Sequence, residues 1–438
     1  MTFKNHLLQH YNRSIEFFIQ STVVVIVQLI DRIVNRIQNV GGKMSLKFII
    51  SDKMQKNLKN FDEKKIAEQV KNIMANSDPV KYILQEHQKM HIGDRGIALT
   101  LLLSIAVQSV SNSQGIQPKV SGESGKGKTH CCKAMAHLMP SGWILETTLS
   151  DKVIYRMPLK DGMVIFSDDV DLSTSLENTI KRATTNFQEE TVYTTLNKEH
   201  DVNYLSIPSR IVWWLTSVDD NQSIQLLNRQ FGGGVDETPE QDEKVLLFQK
   251  DQATTGKMGL PLTEEVMVCR GIINNVKEQN FTVKIPFAHR INWPHASNRR
   301  NFEMFTDLIY GFAVLRHEQR NIDETGVLIA DIMDFESARE LYSSRAKTQL
   351  SKTTNSENRL LEALVKLDYR ATYEELCQEV GLSQGRISQL LTGKGKGHDS
   401  GLLHKIPSLS IDMTGHKHVV VLDKSYKSDC CEITLKEL

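Results

Sequence analysis

The chain has 438 residues, enough for two or three domains and at least one sizeable core, so it needs no disulfide or metal staple. Apolar residues at 40% and charged residues at 24% are those of an ordinary globular protein, and 53 basic against 53 acidic residues leave no net charge; a globally basic nucleic-acid coat is excluded and any such surface is a local patch. The six cysteines (Cys131, Cys132, Cys269, Cys377, Cys430, Cys431) contain no Cys-x-x-Cys pair, which fits free thiols in a reducing cytoplasm and no structural metal.

Phe17 to Ile30 is the most apolar stretch, but fourteen residues interrupted by Gln20, Ser21, Thr22 and Gln28 are short for a membrane span. No small-residue cleavage site follows it, and no membrane partner is expected. Two readings stay open for residues 1–43: an amphipathic N-terminal helix, or a segment outside the translated protein. In the second, Met44 is the start and Val40-Gly41-Gly42-Lys43 reflects a G-rich ribosome-binding run. Residues 44–110 read as a helical region that ends in a buried helix, Ala98 to Val110, and Ser111 to Gly115 supply a loop.

Gly122-Glu123-Ser124-Gly125-Lys126-Gly127-Lys128-Thr129 then forms a complete phosphate-binding loop. Its glycines let the backbone turn and aim N–H groups at a triphosphate, Lys128 reaches the β and γ phosphates, and the Thr129 hydroxyl ligates Mg²⁺. A strand-like approach through Val120 precedes it and His130 to Met139 follows with helix-compatible residues, so the phosphates would sit at a helix N-terminus. The expected ligand is ATP with Mg²⁺.

Gly162 to Val170 is a short apolar run ending in two aspartates, as a buried parallel strand would. Asp168 is assigned to the metal and Asp169 to the attacking water. Thr191 to Arg210 holds two β-rich runs around Asn197 to Asp201, a hairpin signal. Ile211 to Asp220 is a third strand-like run whose Thr216 and Ser217 could sense the γ-phosphate, and Arg229 follows at the end of a helical segment.

This order of parts resembles the hairpin-bearing branch of AAA+ ATPases, which includes the superfamily 3 helicases of small DNA viruses and plasmids and the MCM helicases. The resemblance covers about Lys81 to Lys347. It implies a homo-oligomeric ring, a hexamer, with a hairpin projecting into its channel, where Lys198 and His200 grip DNA. It also implies that Arg229 acts in trans on the adjacent subunit's ATP. Two residues depart from the pattern. Val218 stands where those families place asparagine, leaving the sensor role between Thr216 and Ser217; Asp169 replaces a common glutamate, as superfamily 3 proteins tolerate.

Phe231 to Lys244 is glycine-rich and acidic and reads as a mobile loop leading into a lid. Trp293 to Arg320 has long helical periodicity. Arg299 or Arg300 in its first turn is placed where an AAA+ lid arginine contacts the γ-phosphate, against a plain solvated pair. Ile329 to Ser344 completes the helical lid, and Ser351 to Asn358 reads as a polar linker. Beyond it, three short helical patterns joined through Gly381 to Arg386 give a helix-turn-helix in which Ser383 caps a helix presenting Gln384, Arg386 and Gln389. Thr392 to Gly397, with Lys394 and Lys396, and the β-like Val419 to Asp423 supply a wing.

The expected fold is thus α/β: a P-loop AAA+ core over 111–245, a helical lid over 246–350, and a C-terminal winged helix-turn-helix domain over 356–426. The leading functional expectation is an ATP-driven DNA motor, a replicative helicase or initiator of a mobile element, with single-stranded or forked DNA in the channel and duplex at the winged helix. No primase motif is present, so priming would need a separate primase as partner. A regulatory ATPase of transcription and a transposition-accessory ATPase remain as alternatives; neither needs the Lys198/His200 hairpin.

Overall fold

The computed structural model describes residues 61–438 apart from 152, 169–171, 197–201, 218–225, 227–228, 257–258, 294–298, 352–354, 394–400, 415–416, 425–432 and 437–438. The expectations for residues 1–43, Asp169, Lys198, His200, Lys394 and Lys396 lie outside the described residues.

Three helices come first. Asp62 caps α1 (Glu63–Asn76) by accepting from the Lys64 and Lys65 amides, and Asp78 caps α2 (Pro79–Met90), which starts on a proline whose missing N–H costs nothing there. Helix α3 (Arg95–Ala106) is apolar on most faces, and Ile97, Ala98 and every residue from Thr100 to Ala106 are buried. β1 (Gln117–Ser121) follows, then α4 (Lys128–His137), β2 (Ile144–Glu146), β3 (Val164–Ser167) and α5 (Thr174–Thr185). After an antiparallel ribbon of β4 (Thr191–Leu196) and β5 (Val202–Ile207) come β6 (Val212–Ser217) and β7 (Gln230–Gly234).

Strands β2, β3, β6, β1 and β7 lie in that order in one sheet, and every neighbouring pair is parallel. Both faces are covered, which explains why β3 and β6 are buried at every residue. The side chains still divide by the two-residue period of a strand: Val164, Phe166, Val212 and Trp214 join one buried cluster, while Ile165, Trp213 and Leu215 join another with Leu176 and Ile180 of α5. The first cluster is the larger. It takes in α1 to α4 and, beyond α6 (Pro239–Thr255), which contributes no residue to it, α7 (Glu264–Lys277), α8 (Arg299–Leu315) and the first half of α9 (Ile332–Ser351). Short strands β8 (Val283–Lys284), β9 (Ile291–Asn292) and β10 (Leu328–Ile329) link these helices.

The stretch Phe231 to Lys244, expected to be a mobile loop, is instead strand β7, a four-residue connection and the start of α6. The glycines permit close pairing: a Cβ on Gly232 would lie 2.5 Å from the Lys119 carbonyl oxygen of β1, at a φ of 139° that side chains rarely adopt. Thr238 caps α6 and Pro239 opens it. The expected linker at Ser351 to Asn358 is also shorter than read, since α10 (Asn355–Lys366) begins inside it, with Ser356 and Glu357 buried.

After α10 come β11 (Arg370–Thr372), α11 (Tyr373–Val380), α12 (Gln384–Thr392), α13 (Leu402–Lys405), β12 (Leu409–Thr414), β13 (Lys417–Leu422) and β14 (Thr434–Leu435). β13 pairs antiparallel with both β11 and β12, and Leu364, Leu376, Ile387, Leu391 and Val420 form a buried cluster of their own. β14 returns to pair with β9. Among the described residues no helix is long and apolar enough to cross a membrane.

Asp307 of α8 fixes the approach to β1. Its carboxylate accepts from the Gln114 amide at 3.3 and 3.1 Å, and burial pushes its pKa up to about 7 against the opposing effect of bonds from Ser113 and Gln114. Because the folded chain raises this pKa above that of the unfolded chain, the contribution to stability is complete below about pH 4 and is lost as pH rises through 7. Urea unfolding at pH 4.5 and 7.5 should therefore show Asp307→Asn gaining on the unmodified chain at the higher pH, by up to about 3 kcal/mol, since part of the roughly three-unit effect is already lost at pH 4.5. An unchanged difference between the two proteins would contradict this.

Candidate nucleotide site

The site forms where β1, β3 and β6 end side by side. Register pairs Val120 with Thr216 and Ser121 with Ser217 across β1 and β6, and Ser167 with Leu215 across β3 and β6. Chain direction therefore delivers Gly122 to Thr129, Asp168 and Thr216 to the same edge of the sheet.

The loop runs from Gly122 to Gly127, and Gly127 precedes the first residue of α4 with φ at 93°. A side chain there would be strained and would also lie 3.3 Å from the His91 ring. Above Gly125 there is open space, with nothing within 4 Å of a Cβ built on it. Ser124 is exposed beside it. Lys128, only 6% exposed, folds back so that Nζ donates to the Gly122 and Glu123 carbonyls at 2.8 and 2.9 Å.

One oxygen of Asp168 gathers two hydroxyls. Thr129 Oγ1 donates to Oδ1 at 2.6 Å and Thr216 Oγ1 donates to the same atom at 2.5 Å. Of the two candidate sensor hydroxyls, Thr216 is thus the one joined to Asp168, while Ser217 is a buried neighbour on β6.

Arg229 lies in the turn before β7, where Nε donates to Thr185 Oγ1 at the end of α5 at 3.1 Å. Burial lowers its pKa, and the nearby Arg300 lowers it further. The fold thus brings Arg229 near Arg300, which with Arg299 opens α8, both exposed. Gln384, Arg386 and Gln389 are on α12 in the C-terminal cluster's helices, Gln384 and Gln389 exposed and Arg386 half-buried.

Several neighbours of the loop carry no sequence signature. His91, at the end of α2, bonds through Nε2 to Asp94 Oδ2 and through Nδ1 to His130 Nδ1, each at 2.9 Å. With its proton on Nε2, His91 donates to Asp94 and accepts from His130. Burial, then the neighbouring His91 and Lys133, lower the His130 pKa, and burial takes that of His87 down to about 4. Asp94 also accepts from the Asp236 amide at 2.8 Å. Lys126 pairs with Asp242 of α6 at 2.6 Å, a bond that raises its pKa, and the Glu123 amide donates to Glu237 at 2.7 Å.

Residues 64–279 match the family model described as the MTBMA_p00010 P-loop domain. The chain carries a P-loop domain. The match starts in α1 and ends just past α7, so it includes the parallel sheet and the whole site, and it supports an NTPase-type enzyme. No curated protein matches the chain.

The residues of this P-loop domain fit a magnesium nucleotide. Thr129 and Asp168 offer a hydroxyl and a carboxylate, hard oxygen donors of the kind Mg²⁺ takes, and the open space at Gly125 leaves room over the loop. Among the described residues no group of three or more His, Cys, Asp and Glu could hold a metal by itself, so an ion here would complete its shell with phosphate and water.

Two substitutions separate holding phosphate from organising the carboxylate. Lys128→Ala should weaken ATP binding at least 100-fold. Thr216→Val should leave affinity within about threefold and cut turnover about tenfold or more, because it removes one of the two hydroxyls that hold Asp168 Oδ1, and a hydrogen bond to a charged group contributes about 1.5–3 kcal/mol. Fluorescent-nucleotide titration beside steady-state ATPase assays reads both. Equal loss of affinity in the two variants would contradict the division of roles.

Proposed function

We propose that the chain is an ATP-driven motor on DNA, a replicative helicase or initiator of a plasmid, virus or integrated element, working as a homo-oligomeric, hexameric ring in the cytoplasm. The observation that carries this reading is the β4–β5 ribbon, which leaves the main sheet between the strand ending at Asp168 and the strand carrying Thr216. The ribbon runs directly into the start of β6, so in this reading it would be coupled to Thr216 along that strand. Its tip, by sequence, holds Lys198 and His200.

In this reading Lys128 and the amides of Gly122 to Thr129 would hold the phosphates, and Thr129 and Asp168 would hold Mg²⁺, which when bound would supply neutralisation of phosphate charge. Asp169 orients the attacking water, Thr216 reports on the γ-phosphate through Asp168, and Arg229 completes a neighbour's site. Arg299 and Arg300 belong to the lid over 246–350. Residues 356–426 are a winged helix: α11 ends at Gly381 in the left-handed region, Ser383 caps α12, and the β12–β13 ribbon is the wing. Gln384, Arg386 and Gln389, with Lys394 and Lys396, would face duplex DNA. A separate primase would supply any priming.

One observation favours a second reading, a regulatory ATPase that switches assembly. One face of the ribbon exposes Val192, Val202 and Tyr204, and the sequence between its strands carries Glu199 and Asp201 as well as Lys198. A face of that chemistry suits protein better than phosphate.

Paired variants decide between the two readings. Replacing Lys198 and His200 by alanine should leave duplex affinity nearly unchanged and abolish unwinding of forked DNA and its stimulation of ATPase. Replacing Arg386, Lys394 and Lys396 should do the reverse, flattening the slope of log affinity against log salt by roughly two to three units at ~0.9 per lost phosphate contact. A ribbon variant that unwinds at the unmodified rate would remove the motor and leave the regulatory ATPase.

A further inference from the structure

The entrance to the phosphate loop is held from outside the loop. Glu123 N–H donates to Glu237 Oε1 at 2.7 Å, across 114 positions of sequence. The connection between β7 and α6, together with the first turn of α6, brackets this bond: Val235 N–H donates to the carbonyl of Ser121 at the end of β1 at 2.9 Å, and Asp242 of α6 takes Lys126 Nζ at 2.6 Å. The segment is itself anchored, by the Asp236 amide on Asp94 at 2.8 Å and by Gln241 Nε2 of α6 on the Ile92 carbonyl at 2.6 Å.

A carboxylate beside a site built for a polyanion repels its ligand, so electrostatics alone would disfavour Glu237 at this position. Geometry supplies the compensating gain. A Cβ on Gly122 would lie 2.9 Å from Glu237 Oε1 and 2.7 Å from Val235 Cγ2, so the carboxylate sits directly against bare loop backbone. The peptide units around Glu123 are gripped at both polar ends, the amide by Glu237 and the carbonyls of Gly122 and Glu123 by Lys128. A phosphate that drew Lys128 away from those carbonyls would leave the Glu237 bond, which Lys128 does not take part in, as the remaining grip on this peptide unit.

We propose that Glu237 is a positioning residue for nucleotide binding: through the Glu123 amide it holds the start of the loop in the shape that receives the triphosphate, without touching the nucleotide. This rests on the nucleotide-binding reading of the site. The arrangement predicts a specific pattern among variants, because a neutral amide retains the accepting oxygen whereas a methyl group does not.

The test is titration of the full chain with a fluorescent ATP analogue and Mg²⁺, with steady-state ATPase and thermal melting alongside. Glu237→Ala should raise Kd about tenfold with kcat at saturation within twofold, while Glu237→Gln stays within threefold of the unmodified Kd. Hydrogen exchange in a peptide covering 121–125 should accelerate in the alanine variant and not in the glutamine variant. Should Glu237→Ala fail to fold, Glu237→Ser, which keeps a polar surface and is too short to reach the amide, takes its place. If both Ala and Gln variants bind more tightly, Glu237 is only a nearby charge and the proposal is overturned; unchanged binding in both overturns it equally. An unmodified chain that binds no ATP would instead overturn the nucleotide reading itself.

Discussion

The site depends on one carboxylate oxygen. Asp168 Oδ1 accepts from Thr129 at the first turn of α4 and from Thr216 inside β6, and so joins three separate segments of the sheet edge. Hydrogen bonds to an ionised acceptor are roughly twice as strong as neutral ones, so this junction holds its hydroxyls in place more firmly than a turn would. Its position follows from packing. β3 is buried at all four residues, Asp168 is the first exposed one beyond it, and parallel register with β6 places Thr216 alongside. A one-residue slip in either strand would turn that side chain to the opposite face.

Around this junction the loop is braced by contacts of unequal strength. The Lys126 to Asp242 pair is exposed, and such pairs contribute about 0–1 kcal/mol. The Glu237 bond to a backbone amide and the Asp94 to His91 to His130 chain are less exposed and tie the loop to two elements at once, the end of α2 and the connection after β7. Helix α6 itself buries only Gln241 and leaves Leu246 and Leu247 exposed, so its attachment to the core rests on its N-terminal turn. The phosphate loop and that turn are therefore mechanically coupled.

Sequence reading reached the P-loop because its spacing is local: eight consecutive residues state the turn, the lysine and the hydroxyl. It reached the acidic strand end because an apolar run closing in aspartate is also local. β7 was missed since glycine marks both loops and close strand approach, and only the neighbouring Lys119 carbonyl tells them apart. The start of α10 was hidden in the same way, because Asn355, Ser356 and Glu357 look like linker until Glu357 is seen paired with the half-buried Lys405 at 2.9 Å. Glu237, Asp94 and His91 had no signature at all. Glu237 answers a backbone amide 114 positions away and His91 meets His130 39 positions away, while the His91 to Asp94 pair, though only three positions apart, lies across the turn that ends α2 and follows no helical pattern. That Thr216 bonds to Asp168 likewise follows from register between strands, which the sequence does not state.

Thr129 and Asp168, bonded to each other at 2.6 Å, are proposed as two donors of one magnesium site. Determination of the structure with Mg²⁺ and a slowly hydrolysed ATP analogue tests this directly. An ion in contact with Thr129 Oγ1 is expected, with the Thr129 to Asp168 bond opened and Lys128 Nζ moved from the Gly122 carbonyl to phosphate. A nucleotide bound elsewhere, or one bound over the loop with the Thr129 to Asp168 bond still closed, would contradict it.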